Sequence, residues 1–476
     1  MASLHEAILK SLRKPVRSAS GVVVVALMSS PAKCPHGKCI YCPRGENAAQ
    51  SYTGNEPSSM RAIQNVYDPA LQVRERLKQL RDGGHSTDKV EVIIQGGTFP
   101  ARPYEYQEWF VKRILDEMNG RIAPNLESAK SLSSTAKHRC VALTVETRPD
   151  YCREREVDLM LKLGVTRVEI GVQTLSDEVY LKVKRGHTVE DVEKAFQIAR
   201  DSGLKIVAHM MPGLPGVSRE EDLSSFRALY TDDGFKPDML KIYPTLVLAG
   251  TELYDLWLRG EYRPLNDMEA AELVAEVKAM TPPWIRIMRV QRDVPSNLIV
   301  AGVKKSNLRQ IAQEILRRRN LRCKCIRCRE IGLKILKGEL KEPPDLSLTR
   351  INYSASGGME IFLSFEDPKR VVLAAYLRLR VPSEKAHRRE INETRSCIVR
   401  ELKSLGRALP IGLKADKFSW QHRGLGRKLL MEAERIAVEE YDVRKMVIIS
   451  AVGTRGYYAK FGYKLEGPYM VKELIA

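Results

Sequence analysis

Cys34, Cys39 and Cys42 fall within PAKCPHGKCIYCPRG, where Gly and Pro surround three thiols directly after an apolar run. Such a loop is suited to wrapping a metal group. Three thiolates can hold three irons of a [4Fe-4S] cluster and leave the fourth iron open to an external ligand such as S-adenosylmethionine. A zinc knuckle completed by His36 is the other reading of these residues.

A second constellation lies near the other end, in WQHRGLGRKLL. Gln421, Gly424 and Gly426 form a Gln-x-x-Gly-x-Gly turn at a helix start, where free backbone N–H groups and the helix dipole favour a pyrophosphate. Coenzyme A is the ligand such a turn suits, and a plain tight turn is the bland alternative. Strands precede it, a strand follows the helix, and YYAKFGY lies beyond at 457–463. This pattern resembles a GCN5-related N-acetyltransferase (GNAT) domain.

The third constellation is CKCIRC. Cys323, Cys325 and Cys328 can supply three ligands of a tetrahedral zinc site, whose fourth must come from elsewhere in the chain. Arg317, Arg318, Arg319, Arg322, Lys324, Arg327 and Arg329 surround them, enough charge to hold several phosphates with a steep salt dependence. A solvated basic helix with free thiols is the competing reading.

Positioning these groups requires two α/β units. From Gly21 to about Val247, six β-rich runs alternate with helical segments: GVVVVALMS, KVEVIIQGG, CVALTVETRP, RVEIGVQ, KIVAHMMPGLP and MLKIYPTLV. Runs apolar almost throughout suit strands buried on both faces of a parallel sheet, here a partial (βα)6 barrel. Ligand groups then belong beyond the strand C-termini, at 96–99, 146–149 and 210–215. Glu146 and Lys241 stand at such ends, suited to a ribose, an amino acid group or substrate. A structural ion pair between Glu146 and Arg148 is the alternative. The expected organisation is a short basic segment at 1–20, the barrel domain at 21–295, a basic, zinc-binding linker at 296–345, and the GNAT domain at 346–476. No internal repeat is present.

A chain of 476 residues exceeds the size of one core. Neither end carries a signal-like h-region, and the longest apolar stretch, Gly21 to Met28, is too short to span a bilayer, so a cytoplasmic protein with no membrane partner is expected. Nine cysteines, six of them in two tight groups, point to metal ligands over disulfides. The net charge of +19 favours a polyanionic partner, with nucleic acid foremost.

With these residues in view, the chain resembles, nearly end to end, the catalytic subunit of Elongator and its relatives, radical S-adenosylmethionine tRNA uridine acetyltransferases. The likeness runs through CPHGKCIYCP, QSYTGNEPSSMRAI, TVETRPDYC, VAHMMPGLPG, PPWIRIMRVQRDVP, QHRGLG and GPYMVK. It implies a radical domain joined to an acetyltransferase domain, and 5-carboxymethyluridine as product at the wobble position of the tRNA anticodon stem-loop. Acetyl-CoA is cleaved in such an enzyme, and a 5'-deoxyadenosyl radical takes a hydrogen from the acetyl methyl so that the carbon adds to uracil.

By motif, Cys34, Cys39 and Cys42 match the cluster ligands and Lys89 an acetyl-CoA contact from the barrel. Glu401, Leu402, Lys403 and Ser404 match the strand bearing the acetyl group. Trp420, Gln421 and His422 match the segment before the glycine turn, and Tyr458 a contacting tyrosine. Strand amides would bind the thioester carbonyl and a tyrosine hydroxyl would protonate the leaving thiolate. That makes Tyr458 the candidate general acid, with Glu401 placed beside it as a catalytic candidate and a packed core tyrosine as the other reading of Tyr458.

Three features depart from the pattern. The cysteine loop has one residue more between its first two thiols than the commonest radical-enzyme spacing, though it is shorter there than in eukaryotic members. The region before the first strand is brief, which shifts RNA contact toward the arginine-rich segment. Cys323, Cys325 and Cys328 are absent from eukaryotic members, so zinc there belongs to a bacterial or archaeal stand-alone type. A homodimer is left open. The rival functions are a protein lysine acetyltransferase, disfavoured because a basic surface repels lysine-rich tails, and a non-catalytic RNA-binding scaffold.

Overall fold

The computed structural model describes residues 12–43, 45–340, 342–413 and 419–474, so part of the expected N-terminal segment, residues 1–11, lies outside the described residues. Two seven-stranded sheets organise the rest. The first is entirely parallel and runs β1 (Val23–Met28), β2 (Lys89–Gln95), β3 (Arg139–Thr147), β4 (Arg167–Gln173), β5 (Lys205–Met210), β6 (Met239–Ile242) and β7 (Arg286–Arg289), in sequence order. It is a curled half-barrel, with β1 and β7 as its edges.

β7 is a seventh strand beyond the six expected. Only four residues long, with an Arg at each end, it offers no apolar run to read. It closes onto β6 because Met239 and Leu240 pair with Arg286 and Ile287.

Alternation sorts each barrel strand between two environments. Along β4, Val168, Ile170 and Val172 are fully buried in the main apolar core. Arg167, Glu169, Gly171 and Gln173 take the opposite face, inside the barrel. The same parity puts Glu91, Ile93 and Gln95 of β2 and Ala142, Thr144 and Glu146 of β3 on the inner side. The barrel interior is therefore rich in charge, unlike the branched apolar filling of a closed barrel.

The second sheet comprises β8 (Ser347–Ala355), β9 (Gly358–Glu366), β10 (Leu373–Val381), β11 (Ser396–Ser404), β12 (Lys445–Ile448), β13 (Lys464–Glu466) and β14 (Tyr469–Glu473), ordered β8-β9-β10-β11-β12-β14-β13. All neighbours are antiparallel except β11 and β12. That parallel pair joins only Ser396 to Val399 with Lys445 to Ile448. Beyond Val399 the strands part, so Glu401 to Ser404 pair with β10 on one side only. A register shift at Arg378/Leu379, opposite Arg400, bends β11 there.

Between the sheets, the segment expected to be one helix-like stretch is broken. A helix, α1 (Leu308–Arg318), ends before the cysteine triplet, and two short turns follow at Ile326–Arg329 and Ile331–Leu336. Leu308, Ala312, Leu316 and Cys325 are buried in the same core as the barrel.

A buried ionic network welds the two sheets together. Arg400 donates to Asp238 (2.9 Å) and Glu360 (2.9 Å), and Arg380 donates to Asp201 (2.7 Å) and Glu360 (3.0 Å). Arg378, Arg380, Arg400 and Asp238 are all fully buried. Arg400 and Arg378 outweigh burial and hold the Asp238 carboxyl well below its usual range. Among the described residues, no helix is long and apolar enough to cross a membrane.

Candidate functional site

The cysteine loop leaves β1 and folds over the C-terminal ends of the barrel strands. Tight turns shape it: Gly37 N donates to Cys34 O and Cys42 N to Cys39 O, both at 3.0 Å. Apart from His36, each thiol meets a different side chain. Cys34 Sγ lies 3.7 Å from Thr98 Oγ1, Arg185 Nη1 approaches Cys39 Sγ at 3.8 Å, and Gln50 donates to Cys42 Sγ at 3.0 Å. Burial pushes the Cys34 thiol up, countered by Thr98 and the Arg148 and Arg185 charges.

His36 sits 3.1 Å from Cys34 Sγ and 3.2 Å from Cys39 Sγ, and burial, with Arg148 and Arg185, lowers its pKa to about 4. Three thiols held in one loop are the donor set that three irons of a [4Fe-4S] cluster take.

The three cysteines line a pocket floored by the barrel interior, together with Gln95, Glu146, Glu169, Gln173, His209 and Tyr243. Buried side-chain oxygens of Gln95, Glu169 and Gln173 have no protein partner there. Orphaned buried polar atoms are rare, and together with three thiols they fit a cluster and a polar organic ligand.

Glu146 reaches this pocket as expected, accepting from Tyr52 OH at 2.9 Å and from Gly96 N at 3.2 Å. The alternative ion pair with Arg148 does not form. Arg148 instead binds Asp150 (2.9 Å) and donates to the carbonyls of Arg185 and Gly186, because its backbone has already turned away from the sheet. Lys241 is also placed differently from expectation. It is buried in an ion pair with Glu169 and does not line the pocket, whereas Glu169 and His209 do. Burial works against the Glu169 anion, but Lys241 and His209 outweigh it and keep the carboxylate charged.

A second cleft, of about 470 Å³, opens where β11 and β12 part, against the N-terminal ends of the barrel strands. Glu401, Leu402, Lys403, Ser404, Gln421, His422, Gly424, Gly426 and Tyr458 all line it, and so does Lys89 from β2. Gly424 caps the helix α2 (Leu425–Tyr441) at φ 77°, a left-handed conformation that glycine adopts without strain. A side chain at Gly426 would meet the Tyr457 hydroxyl at 2.9 Å. The helix start lies beside the unpaired edge of Glu401 to Ser404, and N–H groups so placed are of a kind that can bind an anion or a carbonyl oxygen.

Lys89 donates to Gln421 Oε1, and burial lowers its pKa to about 8. Glu401 is committed to Arg378 (2.9 Å) and Tyr376 OH (3.0 Å); burial raises its carboxyl, but Arg378, Lys205 and Lys403 hold it low overall. Burial pushes the Tyr458 hydroxyl up, which keeps its proton on at neutral pH. Trp420 departs from expectation: it does not line the cleft but packs in the core with Phe362, Tyr376 and Leu405, because the chain reverses direction at the following residues.

The sulfurs of Cys323, Cys325 and Cys328 lie within 4.8 Å of one another, and no fourth His, Cys, Asp or Glu joins them among the described residues. Lys278 donates to Cys328 Sγ at 3.5 Å, and the shared thiol hydrogen bonds, aided by this ammonium, hold the Cys328 thiol down. The donor set fits one ion short of a ligand. Of the arginines around it, Arg317 and Arg318 pair with Glu314 and Arg319 with Glu276 at the surface, while Arg329 is buried against Glu366 and is not available to phosphate.

Comparison with known proteins fits this geometry. Residues 28–228 match the radical SAM superfamily and residues 237–318 its C-terminal domain. The chain is an enzyme of the radical S-adenosylmethionine class, which implies a [4Fe-4S] cluster and S-adenosylmethionine. It is 53% identical over 468 residues to a tRNA uridine(34) acetyltransferase of Methanocaldococcus infernus, covering 97% of this chain and 87% of that one. Elongator complex protein 3 of Homo sapiens is 46% identical over 97% of this chain and 86% of its own. The archaeal Methanocaldococcus infernus Elp3 with an N-terminal deletion superposes with a TM-score of 0.85 at 48% identity, over 96% of this chain and all of that one. The chain belongs to the family of tRNA uridine(34) acetyltransferases and Elongator complex protein 3.

Proposed function

We propose that the chain modifies the wobble uridine of tRNA, using acetyl-CoA to form 5-carboxymethyluridine. The observation that carries this reading is the cleft where Lys89 of the radical domain meets the glycine turn and the open edge of β11. The arrangement supports a GNAT-type domain over 346–476, a radical domain over 21–295 and a zinc-bearing connector over 296–345.

In this reading Cys34, Cys39 and Cys42 hold the cluster, and S-adenosylmethionine bound there supplies a radical able to take hydrogen from an unactivated methyl. Arg185 and Gln50 offset thiolate charge. Glu146 anchors a ribose or amino acid group, and Lys241 keeps Glu169 ionised beneath the substrate. Amides of Leu402 to Ser404 polarise the thioester carbonyl, while the turn at Gly424 and Gly426 binds the pyrophosphate beside Lys89, Gln421 and His422. Tyr458, protonated at neutral pH, donates to the leaving thiolate. Glu401 orders β11 through Arg378 and does not serve as a base. Cys323, Cys325 and Cys328 hold Zn2+, which pins an arginine-bearing surface for the anticodon stem-loop, and the work takes place in the cytoplasm.

Radiolabelled acetyl-CoA offered to tRNA and to a lysine-rich peptide together tests the reading. Label in a tRNA nucleoside, dependent on S-adenosylmethionine and reductant, supports it. Label in the peptide alone replaces it with protein acetylation.

A further inference from the structure

The half-barrel is open along a seam, because its edge strands β1 and β7 do not pair with each other. At the end of the seam away from the cysteines lies a cavity of about 220 Å³, lined by Val24 of β1 and by Arg286 and Met288 of β7. Six cations line it, Arg17, Arg76, Arg167, Arg286, Arg327 and Lys403, against the single carboxylate of Glu91. They arrive from distant parts of the chain: Arg17 from the turn Pro15–Arg17, Arg76 from the helix Pro69–Asp82, Arg327 from the turn Ile326–Arg329, and the others from β4, β7 and β11.

The protein itself answers half of this charge. Glu91 pairs with Arg167 and lies 3.9 Å from Lys403, and the buried Glu330 pairs with Arg286. Arg17, Arg76 and Arg327 are left over. All three are half-buried, and among the described residues no carboxylate forms an ion pair with any of them. Arg76 donates only to the neutral amide of Gln79, at 3.1 Å. Burial, with Arg286 and Arg309 close by, lowers the pKa of Arg327 to about 10, and burial with Arg17 nearby lowers that of Arg76. Desolvated charge without a partner is costly, so three such guanidinium groups around one space mark the place of an anion. Their planar forks match the oxygens of a phosphate, which can accept from several arginines at once.

We propose that the seam is a phosphate-binding site, in which Arg17, Arg76 and Arg327 hold one phosphate group and so tie the N-terminal turn and the connector to the open edge of the barrel. The group is a free phosphate ion or one phosphodiester of a bound RNA, which present the same oxygens. The site is distinct from the glycine turn. Val22, Glu91, Arg167 and Lys403 border both the seam and the cleft, but none of the three unpaired arginines lines the cleft. It stands apart from the acetyl-CoA reading and is tested without it.

The test is equilibrium binding of radiolabelled inorganic phosphate to the full-length, cluster-reconstituted protein at fixed ionic strength, beside Arg327→Gln and Arg76→Gln. The wild type is expected to bind phosphate saturably, and each variant to weaken the binding of one equivalent about tenfold, the loss of one charge-assisted hydrogen bond. Two variants keep the test usable if one does not fold. In chloride buffer without phosphate, Arg327→Gln is expected to melt at or above the wild-type temperature, because the substitution removes an uncompensated charge. Phosphate should then raise the melting temperature of the wild type more than that of the variant. Added tRNA separates the two sources: displacement of the label lost in the variants makes an RNA phosphodiester the occupant, and its retention makes it a free anion. No saturable binding, wild-type affinity in both variants, or a lower melting temperature of Arg327→Gln in the phosphate-free buffer overturns the site.

Discussion

Lys89 and Gln421, 332 residues apart, share a hydrogen bond that joins the first residue of β2 to the turn before α2. Gln421 also donates to the carbonyls of Gly21 (3.0 Å) and Ser404 (3.3 Å), and its oxygen accepts from Leu409 N (3.1 Å). One side chain thus ties the starts of two barrel strands to the edge of the cleft.

Because burial lowers Lys89 to about 8, its charge is present below that pH and lost above it. Acetyl-CoA affinity, read by equilibrium binding, should fall about tenfold between pH 7 and 9, and Lys89→Arg should flatten the profile. The same shift has the opposite sign for folding. A lysine with a lowered folded pKa lets stability rise with pH from about 8 toward its unfolded value. A pH-independent affinity in the wild type would remove Lys89 from the anion site.

Asp238→Asn should destabilise the chain by about 3–5 kcal/mol in denaturant unfolding, because Arg378 and Arg400 would remain buried with their charge uncompensated. The Asp238 carboxyl is held below its usual range, so its stabilisation is complete above the unfolded pKa near 4 and is lost as pH falls below it. Equal acid sensitivity in wild type and variant would contradict this.

Chelation, or Cys325→Ser, should release one equivalent of zinc and weaken tRNA binding while leaving S-adenosylmethionine cleavage intact. Replacing Arg317, Arg318 and Arg319 together by Ala should reduce the slope of log affinity against log salt by about 1 for each phosphate that is no longer neutralised. Their surface pairs with Glu314 and Glu276 are weak enough for phosphate to displace. An unchanged slope would move the RNA-binding surface elsewhere.

How far the sequence reveals this arrangement depends on the element. β1 to β6 are legible because each is a mostly apolar run with nearly every position buried or half-buried. β7 is not, and neither is the edge strand β8, where half-exposed positions blur the pattern. The thiols and the glycine turn stand out because their chemistry is local in sequence. Arg167, Glu169 and His209 escape a reading by motif, although each interrupts an otherwise apolar strand with a charged or titratable side chain, which is the available signal. A strand-end position points Lys241 to the pocket, but only tertiary packing places Glu169 above it. The tie between Lys89 and Gln421 depends on the way two distant sheets meet, and spacing carries no trace of it.

The most direct test of the central claim is mass spectrometry of nucleosides from tRNA bearing a wobble uridine, incubated anaerobically with reconstituted enzyme, S-adenosylmethionine, reductant and acetyl-CoA, beside a Cys39→Ala control. The account predicts 5-carboxymethyluridine with the intact cysteine loop and none with the variant. Unmodified uridine despite a verified cluster and active acetyl-CoA cleavage would contradict it.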